Sequence, residues 1–187
     1  MKKLLLVAVM VLTSAMTFAQ QKEGTLTIQP KVGLNIASLT DFDDSDPRFG
    51  VVAGAEFMYQ ATDMVGLSFG ALYSMQGAKY DKATTKLDYI NIPILANVYV
   101  APGFAVKLGL QPGFNVNSKA KAKSNGVAVE ADFDAKTVDL SIPIGLSYEF
   151  NNFVIDGRYN WGLTKVAKDS DSKNSVFQIT LGYKLPL

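Results

Sequence analysis

Residues 138–164 read VDLSIPIGLSYEFNNFVIDGRYNWGLT, and their alternation decides the fold. Val138, Leu140, Ile142, Ile144, Leu146, Tyr148 and Phe150 share one face of an extended chain, while Asp139, Ser141, Gly145, Ser147 and Glu149 share the other. After Asn151-Asn152 the pattern resumes: Phe153, Ile155, Tyr159, Trp161 and Leu163 oppose Asp156, Arg158, Asn160 and Thr164. A period of two marks a β-strand whose faces meet different surroundings. Two such runs joined by a two-residue polar link predict an antiparallel hairpin.

The same alternation recurs six more times, in runs beginning at Leu26, Phe49, Val65, Ile90, Phe104 and Phe177. Eight strands result. Their links alternate in length. Ala61-Thr62-Asp63, Ala101-Pro102-Gly103 and Asn151-Asn152 are short; 38–48, 77–86, 118–137 and 166–174 are long and polar. A membrane-crossing strand needs about 9–11 residues, and each run supplies them. Even strand number, short turns at one end and long loops at the other predict an all-β fold: an eight-stranded antiparallel up-and-down transmembrane β-barrel.

The alternative is a soluble ligand-binding β-barrel, whose large apolar side chains would point inward. Here the apolar faces are nearly unbroken, and the opposite faces mix Gly, Ser, Asn and Gln with charges, which suits a narrow interior better than a solvent surface. Aromatics gather near strand ends. Phe57, Tyr59, Phe104, Tyr148, Phe150, Phe153 and Tyr183 make one outward ring; Phe49, Tyr73, Phe114, Tyr159, Trp161 and Phe177 make the other. Two girdles around an aliphatic band are what amphipathic rings form at the two membrane interfaces. Pro30, Pro93, Pro112 and Pro143 fall inside strands, where a missing N–H interrupts pairing, and are read as marks of bulges or bends.

The N-terminus is set apart. Met1-Lys2-Lys3 is basic, Leu4 to Leu12 is apolar, and Thr17 and Ala19 occupy the −3 and −1 positions of a signal-peptidase site. Residues 1–19 are therefore read as a signal peptide and 20–187 as the barrel domain. The 187 residues contain no Cys and no His, which excludes disulfides, thiolate metal sites, Cys nucleophiles, Ser-His-Asp hydrolysis and His-ligated metals. Eighteen basic against 17 acidic residues leave no field for nucleic acid. No enzyme activity, cofactor or metal is expected. Asp41, Asp43, Asp44 and Asp46 lack the Gly and terminal Glu of a calcium hand and read as a solvated loop tip.

Inward charges under this register are Lys31, Lys107, Arg158 and Lys184 against Glu56, Asp139, Glu149 and Asp156. Four against four in a narrow lumen predict one mutually neutralising network, since an unpaired buried charge is costly. Side chains fill an interior of about eight strands, so no open pore is expected. In the longest loop, Asn125-Gly126 is a two-residue turn signal. Folding about it sets Lys121 opposite Glu130 and Lys119 opposite Asp132, and predicts a charged hairpin over 118–137 suited to an extracellular protein partner. One extra residue must then be absorbed between Asp134 and Val138.

Leu87 to Val100, with its Asn91-Ile92-Pro93-Ile94 centre, resembles the small outer-membrane β-barrel family of Bacteroidota called PorT-like or "porin family". So do Gly145-Leu146-Ser147-Tyr148-Glu149-Phe150 and Asp156 to Thr164, and the likeness to this OmpX-like barrel type extends over the whole exported chain. The resemblance implies localisation in the cell outer membrane of a Gram-negative cell after signal-peptide cleavage near Ala19. It also implies recognition by the barrel-assembly machinery, through Thr180, Gly182, Leu185 and Leu187; the chain ends on Leu187 where that signal has an aromatic. The function expected is a structural or surface-interaction role for a monomer with a plugged lumen, its partners outer-membrane lipid and the assembly machinery. The rival reading is a component of a protein secretion system, a role known in one branch of that family.

Overall fold

The computed structural model describes residues 22–40, 46–79, 83–124, 127–132, 135–167 and 171–187. The signal-peptide reading, the Asp41, Asp43 and Asp44 tip and the Asn125-Gly126 turn lie outside the described residues. The alternating runs form β1 (Leu26–Leu39), β2 (Asp46–Gln60), β3 (Val65–Lys79), β4 (Ala83–Asn91), β5 (Ile94–Ala101) and β6 (Phe104–Ser124). They continue as β7 (Val127–Asp132), β8 (Val138–Phe150), β9 (Phe153–Lys165), β10 (Lys173–Tyr183) and β11 (Leu185–Pro186).

Eight crossings emerge from these eleven segments because β4 with β5, and β10 with β11, are each one strand interrupted, and β7 pairs with β6 alone as an arm outside the closed sheet. β3 carries both halves of the first in one register, with Leu72 opposite Asn91 and Phe69 opposite Ile94. β1 does the same for the second, with Lys31 opposite Gly182 and Ile28 opposite Leu185. Every pairing is antiparallel, and β1 closes on β10, so the sheet has no free edge within the barrel. Closure satisfies the backbone internally, which a lipid environment demands.

The prolines correct one expectation. None of the four shifts the register. Pro30 faces Ala55 and Pro143 faces Asn160 within unbroken runs of pairs, Pro112 faces Leu140, and Pro93 separates β4 from β5. On its β6 side Pro143 interrupts the pairing, yet Leu108 opposite Ile144 and Gln111 opposite Ser141 keep one register. A missing N–H deletes a bond without adding a residue, so the neighbours stay in step. The Pro93 carbonyl still accepts from Gly70 at 3.2 Å. True irregularities occur elsewhere, between Pro47 and Val52 on β2 and at Val116 on β6. The short turns use left-handed residues, Gly103 at φ 72° and Asn151 at φ 52°.

Faces settle the architecture. Exposed positions include Val32, Leu34, Phe49, Phe69, Ile94, Leu108, Ile155 and Trp161, whereas buried ones include Gln29, Lys31, Asn35, Glu56, Lys107, Gln111, Arg158 and Gln178. A soluble barrel would show the inverse. A continuous apolar outside is stable only against lipid. The aromatics of both predicted rings lie on this outside or partly covered, and Phe57 with Phe69, and Phe153 with Tyr183, pair at 5.5 and 5.1 Å near the short-turn end. At the long-loop end Leu39, Ala78, Leu87, Tyr89 and Val166 pack together, with Ala135 against them, alongside the buried Arg48–Asp88 ion pair at 3.7 Å.

Candidate functional site: the charged lumen and the outer hairpin

The sheet's register brings five of the eight predicted lumen charges into one cluster. Lys31 Nζ lies 2.6 Å from Glu56 Oε2 and 3.4 Å from Asp156 Oδ2. Arg158 is the hub: Nε donates to Asp156 Oδ1 at 2.8 Å, and Nη2 donates to Asp156 Oδ2 and Glu56 Oε1, both at 2.9 Å. Lys107 on β6 pairs with Asp156 across the intervening β8. All five side chains are buried.

The other three charges stand apart, so the single network expected from the sequence is divided. Lys184 pairs with Glu149, and Tyr99 Oη also donates to Glu149 at 2.7 Å. Asp139 meets no cation among the described residues; it accepts from Thr164 Oγ1 at 2.6 Å near the long-loop end. Asp139 and Asp156 both occupy inward positions, odd on β8 and even on β9, but not the same height. Sequence parity reports the face of a strand, whereas distance along the barrel axis depends on how neighbouring strands are staggered.

Glycines make room for the cluster. Lys31 lies between Gly54 and Gly182, Glu56 faces Gly70, and Gly145 faces both Lys107 and Arg158. A Cβ on Gly145 would fall 2.7 Å from Arg158 Cβ, and one on Gly70 would fall 2.9 Å from Glu56 Cγ. Each long charged side chain thus has space to cross the lumen. This arrangement, and Tyr99, were missed in the sequence reading. Counting back from Asn151-Asn152 would have paired Gly145 with Arg158.

The predicted assembly residues occupy the closing strand: Thr180 and Gly182 point into the lumen, and Leu185 and Leu187 point to lipid. The hairpin is a paired arm. β6 extends to Ser124, and β7 pairs with it, setting Lys119 opposite Asp132, Lys121 opposite Glu130 and Ala122 opposite Val129. Below the arm Phe114 faces Val138, whereas within it Lys119 faces Asp132, so the register of the two strands shifts by one residue between these pairs. On its other side β6 pairs with β4, where Asp88 faces Asn117 but Tyr89 faces Asn115. This bulge at Val116 places Lys119 directly beside Lys86, a like-charged neighbour absent from the sequence reading.

A family model described as "Outer membrane protein beta-barrel domain" matches residues 18–168. The chain belongs to that family. It is an outer-membrane β-barrel protein. Ail, the attachment invasion locus protein of Yersinia pestis, superposes on it with a TM-score of 0.54 at 18% identity, over 87% of this chain and 99% of that one. The same protein in complex with the heparin analogue sucrose octasulfate gives 0.55 at 17% identity, over 87% and 99%. Neisserial surface protein A gives 0.56 at 18% identity, over 87% of this chain and all of that one. At such identities the likeness is one of fold. No curated protein matches the sequence.

Proposed function

We propose that this outer-membrane barrel is a monomeric surface-interaction protein whose lumen is plugged by its own side chains and whose contact surface is the outer hairpin. The single observation that carries the reading is the length of β6. Its 21 residues, Phe104–Ser124, are roughly twice what a crossing needs, and the excess is organised as a strand pair with β7. Among the described strands β7 pairs with β6 alone, so its outer edge offers free backbone groups to an added strand. Val129 is exposed there, and Lys119, Lys121 and Asp132 supply a charged rim. That Ail is named for attachment and the neisserial relative is a surface protein agrees with this reading.

Closure of the lumen is supported by two tiers: the five-charge cluster at mid-height and the apolar group of Leu39, Leu87, Tyr89 and Val166 above it. In this reading the chain is not an enzyme and needs no cofactor. It is exported by a signal peptide cleaved near Ala19 and belongs to the PorT-like branch of such barrels. The assembly machinery engages its Thr180 to Leu187 end.

Two measurements test the proposal. The purified barrel in planar bilayers is expected to give no conductance steps, and regular ion-conducting steps would overturn the plug. Cells carrying the barrel with residues 119–132 replaced by a short turn should lose binding to an extracellular protein captured by the unmutated barrel while keeping heat-modifiable gel mobility. Undiminished binding would overturn the hairpin's role.

A further inference from the structure

The ion cluster does not balance. Lys31, Lys107 and Arg158 bring three positive charges, whereas Glu56 and Asp156 bring two negative ones. The neighbouring Lys184–Glu149 pair is neutral in itself. Asp139, which would restore neutrality on paper, lies on β8 six residues from Gly145, roughly 20 Å along the strand at ~3.3 Å per residue. A net positive charge buried at mid-membrane, with lipid outside, is among the costliest arrangements a fold can hold without compensation.

The same place holds donors with nothing to donate to. Arg158 Nη1 has no hydrogen-bond partner, although Nε and Nη2 have three contacts between them. In the planar guanidinium fork, Nη1 lies on the edge away from the carboxylate that engages Nε and Nη2. Gln178, its direct neighbour on β10, has both amide atoms buried and unpartnered. On the β8 side the neighbour is Gly145, which fills no space in the lumen. The great majority of buried polar groups are satisfied, so two unpartnered donors on neighbouring strands, Arg158 Nη1 and Gln178 Nε2, point to an acceptor between them.

From the excess charge and the orphaned donors together we infer that the lumen binds a small monovalent anion of chloride size, held by Arg158 Nη1 and the Gln178 amide beside Gly145. A water molecule would satisfy the donors and leave the charge. A halide does both, and its spherical acceptor surface needs no donor of its own. The site would lock β8, β9 and β10 together at mid-height, tying barrel stability to the anion through mass action.

Diffraction from crystals of the intact barrel grown in bromide tests this directly: an anomalous peak is expected in contact with Arg158 Nη1. Thermal unfolding in detergent, with chloride replacing methanesulfonate at constant ionic strength, should show a midpoint that rises with chloride. Lys107→Met removes the excess cation, and in that variant the chloride response should vanish. A lumen without bromide, a midpoint indifferent to chloride, or an unchanged response in Lys107→Met would overturn the inference. The bromide map of the unmutated barrel decides the question even should the variant not fold.

Discussion

Arg158 on β9 donates to Glu56 on β2 at 2.9 Å, although β10 and β1 stand between the two strands in the sheet. The contact spans the lumen, and it exists because closure curls the sheet until β2 and β9 face one another. Glu56 also receives Lys31, so this carboxylate joins two walls of the barrel.

Glu56→Gln should therefore be severely destabilising. It leaves Asp156 alone among three buried cations, a loss of about 3–5 kcal/mol. Arg158→Met should cost less in the Glu56→Gln background than in the unmutated barrel, with a coupling energy of about 1–3 kcal/mol. Urea unfolding of the four proteins of this cycle in lipid measures it. Simple additivity would show that the contact carries no coupling.

Gly145→Ala and Gly157→Ala form a matched pair. A Cβ at Gly145 would meet Gly157 O at 2.6 Å and Arg158 Cβ at 2.7 Å, whereas at Gly157 nothing lies within 4 Å. The first should cost about 1–3 kcal/mol by overpacking, and the second should stay within about 0.5 kcal/mol of neutral. Equal unfolding midpoints would count against the role of glycine as the space beside the ion cluster.

The outer apolar group behaves as a small core. Leu87 is fully buried against Leu39, Ala78, Tyr89 and Val166. Leu87→Ala should lower stability by about 2–5 kcal/mol, visible as a lower temperature for the heat-modified gel shift. The same change at Leu108, which is exposed to lipid, should cost less.

The hairpin register can be read by cross-linking, because the chain contains no cysteine of its own. Ala122→Cys with Val129→Cys places two thiols directly opposite one another and should oxidise readily to a disulfide. Ala122→Cys with Ala131→Cys, offset by two, should do so poorly. Comparable cross-linking of both pairs would mean that the arm has no fixed register.

Strand number, turn placement and the inward or outward sense of each side chain were legible in the sequence, because a period of two is a local property of an extended chain. The hairpin arm was legible for the same reason: Asn125-Gly126 and the positions counted outward from it specify which residues face one another, whatever lies around them. What no local rule could provide is height. Asp139 and Asp156 both occur at inward positions, yet only Asp156 reaches Arg158, Lys31 and Lys107. The bulge at Val116, which brings Lys119 beside Lys86, likewise left no mark in the alternation of β6. Contacts between strands distant in sequence depend on stagger and closure, which arise from all eight crossings together. That is why the alternation of residues 138–164 determines a barrel, while the partners of Arg158 and the charge imbalance around it belong to the closed structure alone.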